Sequence, residues 1–266
     1  MSARIVVLDS VTQCQGRVQL GDVVVAGSFA GALSLGLALP FGIRALIAHA
    51  AGVGKDEAGI SALAVADGLG VPVAAVETMS ARIGDGPSVH DEGVISHANA
   101  IARALGIAIG MSAHEAARRL TRAGEPRAVT ANFVDERPCV VDEVATGRVV
   151  CLDTLSFATA DNAGDVLCGG SHSGRVNIEA LLRIVHPRGV IASDGGMARG
   201  RSGISGLARL DDAGVAGAAV DVLSARIGDG RSTWQDGVIS AANACAAQAG
   251  VVVGQAARVA ARRILH

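Results

Sequence analysis

One block of this sequence occurs twice. SARIGDGPSVHDEGVISHANA at residues 80–100 returns as SARIGDGRSTWQDGVISAANA at residues 224–244, identical at most positions, so the chain carries an internal duplication. The same offset carried backwards aligns RALIAHAAGVGKDEAGISAL with RGVIASDGGMARGRSGISGL and VVLDSV with VCLDTL. After a one-residue gap it also aligns GDVVVAGSFAG with GDVLCGGSHSG. Two copies of so long a period exclude a solenoid and describe an ancestral homodimer joined into one chain, with an expected pseudo-two-fold axis. The boundaries read as a first repeat at 1–122, a charged, Pro-containing linker at 123–146 and a second repeat at 147–266.

Within a repeat, short Val-rich runs alternate with helical patterns and glycine turns. Strands are expected at 5–8, 23–26, 45–48 and 71–76, and helices at about 30–39, 57–69 and 94–105. A last helix opens at Ser112, where Ser-Ala-His-Glu is a capping-box pattern with Glu115, and its counterpart runs over 255–265. The fold class that follows is α/β, two tandem Rossmann-like repeats with mostly parallel sheets covered on both faces.

Composition excludes several function classes. A net charge of -2, one Trp, four Phe and no Tyr leave neither a basic patch nor an aromatic platform for nucleic acid. The five cysteines show no C-x-x-C or Cys/His ligand spacing, which argues against a disulfide framework and a zinc site. The stretch 23–43 is long and uncharged, with Gly27 and Gly31 in G-x-x-x-G spacing, but its counterpart carries Arg175, Glu179 and Arg183. A bilayer would penalise these charges, so no membrane partner is expected. MSARIVVLDSV lacks the regions of a signal peptide, which predicts a cytoplasmic protein. The very apolar first helix predicts that one face is covered, either by the linker or by another subunit, with a homo-oligomer as the favoured expectation.

The polar residues gather in three loop pairs placed after strands, the edge at which open parallel sheets bind ligands. In GSFAG and GSHSG, Ser28 and Ser171 are read either as helix caps or as ligand donors, and His172 as a proton-transfer group. In the second pair, Lys55 aligns with Arg199 in a glycine-rich turn, read either as suited to an anion or as solvated loop cations. His49, Ser193 and Asp194 stand at strand ends, where a structural hydrogen bond to backbone competes with a site role. G-V-G-K-D lacks Walker A spacing, so no nucleoside triphosphate is expected. The third pair keeps Arg82, Asp85 and Ser88 in one copy and Arg226, Asp229 and Ser232 in the other. Arg can fork a ligand carboxylate while Asp does acid/base work. In the competing reading Arg and Asp pair with each other and lock the loop. Asn99 and Asn243 are placed inside the following helix, satisfying buried backbone; His90 and Trp234 align and can line a pocket wall.

Differences between the copies sharpen this. His172 replaces Phe29, and the Lys55-Asp56-Glu57 run occurs only in the first repeat. Complementary loss after fusion would leave one composite site between the repeats. Its expected catalytic groups are His172, Ser171 and Asp56. Its expected substrate-binding groups are Lys55, Arg82, Asp85, Arg226, Asp229, Ser28, Ser232, His49 and Asp194. The expected function is a metal-independent, cofactor-free enzyme acting on a small carboxylate-bearing metabolite, first a hydrolase of an amide or lactone-like bond. A lyase or isomerase using the same groups is the alternative, and a non-catalytic ligand-binding or assembly protein is the other class. No G-x-G-x-x-G follows the first strand, which disfavours a nicotinamide cofactor.

Overall fold

The computed structural model describes residues 3–124, 126 and 134–266. They divide into two compact units. Unit 1 comprises the described residues of Met1–Val53, Glu57–Val134 and Ala198–Gly200, and unit 2 comprises Gly54–Asp56, Asp135–Met197 and Arg201–His266. Each unit thus contains one sheet domain together with three residues drawn from the glycine-rich loop of the other repeat.

The sheet of unit 1 is built from β1 (Ile5–Leu8), β2 (Val23–Phe29), β3 (Ala45–His49), β4 (Val73–Val76) and β5 (Ile95–Ala98), paired in that order. The first four are parallel and β5 is antiparallel to β4. Every residue of β2, β3 and β4 is buried, as continuous apolar runs covered on both faces require. Alternation sorts the two faces. Val24, Ala26, Leu46, Ala48, Val73 and Ala75 share a core with α1 (Ala32–Ala38) and α2 (Ala62–Leu69). Val23, Val25, Ala45, Ile47, Ala74 and Val76 face α3 (Gly86–Asp91), α4 (Ala100–Ala104) and α5 (Ala113–Leu120). The result is three layers. Burying each Val or Ile contributes roughly 1.5–3 kcal/mol.

Unit 2 repeats the plan with one added strand. β6 (Cys139–Val144) pairs antiparallel with β7 (Gly147–Leu152). The sheet continues through β8 (Val166–His172), β9 (Gly189–Ser193), β10 (Ala216–Val220) and β11 (Ile239–Ala242). β7 to β10 are parallel and β11 is antiparallel to β10. One face carries α6 (Arg175–Leu182) and α7 (Leu207–Asp212), and the other carries α8 (Gly230–Asp236), α9 (Ala244–Gln248) and α10 (Ala257–Leu265). The fold is therefore α/β with two similar, mostly parallel sheets, and neither closes into a barrel.

In each sheet the strand order rises steadily, without the reversal that opens a switch-point crevice. Instead, the chain leaving β4 returns across the carboxyl ends of the strands, and α3 packs back onto β1 and β2. That return segment is the SARIGDG loop, and the equivalent return in unit 2 brings α8 onto β7 and β8.

Several local expectations are corrected. The helix expected at 57–69 begins as a 3-10 turn over Lys55–Ile60, because Asp56 and Glu57 take left-handed φ values of 53° and 55°. The segment expected as helix at 94–105 is first β5 and then α4. Asn99 is the N-cap between them rather than an interior helical residue, and Asn243 does the same before α9. The return loop hides α3, capped by Asp85. Strand β6 lies within the stretch read as a linker; residues 125 and 127–133 of that stretch lie outside the described residues. α1 is covered inside unit 1 by α2, Val11 and Leu39. Among the described residues no helix is long and apolar enough to cross a membrane.

Candidate active site at the carboxyl ends of the strands

In both units the return loop is bolted down by backbone contacts. Gly84 N–H donates to the Gly27 carbonyl at 2.8 Å, and Gly228 N–H to that of Gly170 at 2.8 Å. A Cβ on Gly27 would stand 2.4 Å from the Asp85 nitrogen, and one on Gly170 would stand 2.4 Å from the Asp229 nitrogen. The glycine of GSFAG and GSHSG thus makes room for the other loop's backbone.

Side chains complete the lock. Asp85 caps α3 by accepting from Ser88 N–H at 2.8 Å and holds Arg82 Nε at 2.9 Å. Asp229 caps α8 from Ser232 N–H at 2.8 Å and holds Arg226 Nη2 at 2.9 Å. The Ser88 and Ser232 hydroxyls accept from Arg82 N–H and Arg226 N–H, each at 3.0 Å, and donate to Glu92 and Asp236. Each Arg and Asp of the repeated motif therefore pair with each other.

Unit 2 gathers Lys55, Asp56, Arg226, Asp229, Ser232 and Asp236 into one cluster. Lys55 Nζ lies 2.9 Å from Asp236 Oδ2, and Arg226 Nη1 lies 3.2 Å from Asp56 Oδ2. Lys55 and Ser232 hold the Asp236 carboxyl below its ordinary range. In unit 1, Arg199 takes the place of Lys55, with Nη1 3.7 Å from Glu92 and 3.1 Å from the Ser80 carbonyl. All seven non-glycine residues with positive φ among the described residues fall in the two glycine-rich loops, at Ala51, Val53, Asp56, Glu57, Met197, Ala198 and Arg201. Each such residue costs about 1–2 kcal/mol.

The strand-end groups are more enclosed. Ser28 and Ser171 do not cap the following helices, whose N-caps are Gly31 and Gly174. Their hydroxyls accept from Val11 N–H at 3.0 Å and Leu155 N–H at 2.9 Å. They hold the turn after the first strand of each unit instead, and Ser171 also donates to Thr154. His172 is buried and its Nδ1 accepts from Gly174 N–H at 3.1 Å; a neutral ring then carries its proton on Nε2. His49 is fully buried. Its Nδ1 accepts from Ala51 N–H, Nε2 donates toward the carbonyls of Thr78 and Ala81, and burial lowers its pKa to about 4. Asp194 accepts from the N–H groups of Gly196 and Val222, and burial pushes its carboxyl up. His49 and Asp194 thereby tie the loop after β3 or β9 to the next one.

Four carboxylates at this edge are not singled out by the sequence: Glu92 and Asp236 of the clusters above, and Asp9 and Asp153 at the strand ends. Asp9 Oδ1 accepts from Gly86 N–H at 3.0 Å, and Asp153 Oδ1 accepts from Gly230 N–H at 3.2 Å. Each stands beside the capping Asp at the start of α3 or α8. Asp153 is half-buried, and burial together with the charges of Asp229 and Asp135 raises its pKa. The signal was present in VVLDSV and VCLDTL, where both copies keep the Asp.

A concavity of about 700 Å³ in unit 1 lies at the opposite end of the strands, against Arg44, Val71, Pro72, Ile101 and Leu105. It contains none of these groups, so the polar loops remain the better candidate. Compared with known proteins, the chain matches no protein-family model, no curated protein and no solved structure.

Proposed function

We propose that the protein is an enzyme acting on a small carboxylate-bearing metabolite, hydrolysing an amide or lactone-like bond at the carboxyl-end loops of unit 2. The observation that carries this reading is Asp153, a half-buried carboxyl with a raised pKa beside a second carboxylate, Asp229, at the start of α8. Carboxyl pairs in unequal environments are suited to acid/base work. Arg226 and Lys55, with side chains 41% and 30% exposed, hold the substrate carboxylate by releasing Asp56 and Asp236.

In this reading Asp153 accepts a proton from water as the water oxygen adds to the substrate carbonyl. It returns that proton to the leaving nitrogen or oxygen as the bond to carbon breaks. Water is consumed, and an acid and an amine or alcohol are released. Ser171 and His172 position the strand end, and Asp56 holds Arg226 until substrate arrives.

One observation favours a second reading, a non-catalytic ligand-binding or structural role. In unit 2 both Lys55 and Arg226 already rest on carboxylates. The test is turnover of carboxylate-bearing cyclic amides and lactones by wild type, Asp153→Asn and Arg226→Gln, alongside calorimetric binding. Loss of kcat by roughly 10²–10⁴-fold in Asp153→Asn, with a raised KM in Arg226→Gln, supports the enzyme. Binding without turnover supports the second reading, and neither binding nor turnover defeats the assignment of a small carboxylate.

A further inference from the structure

Unit 1 carries a second cluster that the carboxyl-end loops do not use. His90 and Asp91 end α3, and His114 stands in the first turn of α5. We infer that His90, Asp91 and His114 form a binding site for a divalent transition-metal ion of the zinc type.

The geometry begins in the core. Val89 and Ala113, the neighbours of His90 and His114 in sequence, are both fully buried in the core that joins α3 to α5. That packing fixes where the two helix ends meet. One ligand atom from each of His90, Asp91 and His114 then lies within 4.8 Å of the other two. The imidazole centroids are 4.8 Å apart with planes inclined at 68°, and His90 Nδ1 lies 2.5 Å from Asp91 Oδ1. A tetrahedral zinc ion with bonds of about 2.0–2.2 Å places its ligand atoms roughly 3.3–3.5 Å apart. The required adjustment is about 1 Å. It falls on solvent-exposed side chains with room to turn, since the Asp91 side chain is 68% exposed and His114 is exposed, while His90, at 16%, is the most enclosed of the three.

Ligand chemistry sets the class of ion. Two imidazoles and one carboxylate suit Zn(II), Co(II), Ni(II) or Cu(II), whereas Mg(II) and Ca(II) prefer an all-oxygen set. Three protein ligands leave a position for water. The other repeat is a built-in control, since the aligned positions hold Trp234, Gln235 and Arg258, which replace both imidazoles and the carboxylate. Two of the seven histidines of the chain thus converge in one copy at positions where the other copy carries no imidazole or carboxylate.

The experiment uses the untagged full chain, freed of metal by chelator and titrated with zinc and cobalt ions by calorimetry and visible absorption. The variants are His114→Arg and His90→Trp, which install residues the second repeat already accommodates, and Asp91→Asn, an exposed change that leaves packing untouched. Wild type is expected to bind one equivalent of zinc, to give a cobalt spectrum with nitrogen and oxygen ligation, and to melt at a higher temperature with zinc. Each variant is expected to lose at least tenfold in affinity and the thermal gain. Absence of saturable one-to-one binding, or affinity unchanged in Asp91→Asn and His114→Arg, overturns the site; the latter would transfer binding elsewhere, for example to the partly exposed thiols of Cys139 and Cys245.

Discussion

Lys55 Nζ lies 2.9 Å from Asp236 Oδ2, and the repeat-equivalent cation, Arg199, meets the repeat-equivalent carboxylate, Glu92, at 3.7 Å. Residues with different side chains have kept one charge relationship, in unit 2 and in unit 1 alike. Distance alone does not make the pair strong. Both partners in unit 2 are about one-third exposed, at 30% and 32%, so solvent screens their attraction.

A double-mutant cycle with Lys55→Gln and Asp236→Asn, read by urea unfolding, is therefore expected to give a coupling below about 1 kcal/mol that shrinks in high salt. A coupling of several kcal/mol that survives salt would mean the cluster is more enclosed than these exposures indicate.

His49 gives the protein an acid-side dependence of stability. Its pKa falls from 6.5 to about 4 because burial disfavours the imidazolium, against the raising influence of the Ala81 and Thr78 carbonyls. The folded state therefore binds fewer protons than the unfolded chain. The contribution of His49 is fully present above about pH 6.5 and is lost as pH falls towards 4, in total about 3 kcal/mol. Unfolding midpoints measured across this range are expected to fall in wild type and to be flatter in His49→Gln. Parallel profiles would show that the ring is not kept neutral by the fold.

Much of the fold was legible because its signals are local. Val-rich runs become buried strands, and the Ser112 signature places the start of α5, where Ser112 Oγ accepts from Glu115 N–H at 3.2 Å. Less legible were elements whose residues serve two structures in succession. In ISHANA the strand β5 hands over to α4 at Asn99 within a run that also has helical periodicity. The candidate site was legible as a set of loops: Asp56 meets Arg226, which also holds Asp229, whereas Lys55 meets Asp236, a residue the sequence did not single out. Chemistry was harder to place. Whether Ser171 meets a ligand or a backbone N–H depends on which distant turn packs above it, and Asp153 shows its environment only after α8 returns over β7.

Asn99 is the hinge of that handover. Its Oδ1 accepts from Ala102 N–H and Val73 N–H, and its Nδ2 donates to the Val71 carbonyl. Asn243 repeats the pattern with Ala246, Gly217 and Val215. Replacing either with Ala removes a cap and strands buried backbone groups, for an expected loss of about 2–4 kcal/mol. Asn99→Asp keeps the capping oxygen but loses the donor bond to Val71 and buries a carboxylate against that carbonyl, so it is expected to destabilise as well and to recover part of the loss in acid. A loss by chemical denaturation that does not shrink as pH falls would show that the missing donor bond, not the buried charge, carries the effect.

Gly27 and Gly170 change how likeness between the copies should be weighed. Where two loops meet through their main chains, there is no side chain for mutation to trade, and such meeting points resist drift in both copies of a duplicated gene. The near-identity of the two SARIGDG segments is in this light a fossil of close approach, preserved in whichever copy still folds. Divergent positions such as Phe29 against His172, and Trp234 against His90, are where each copy has been free to acquire a trade of its own.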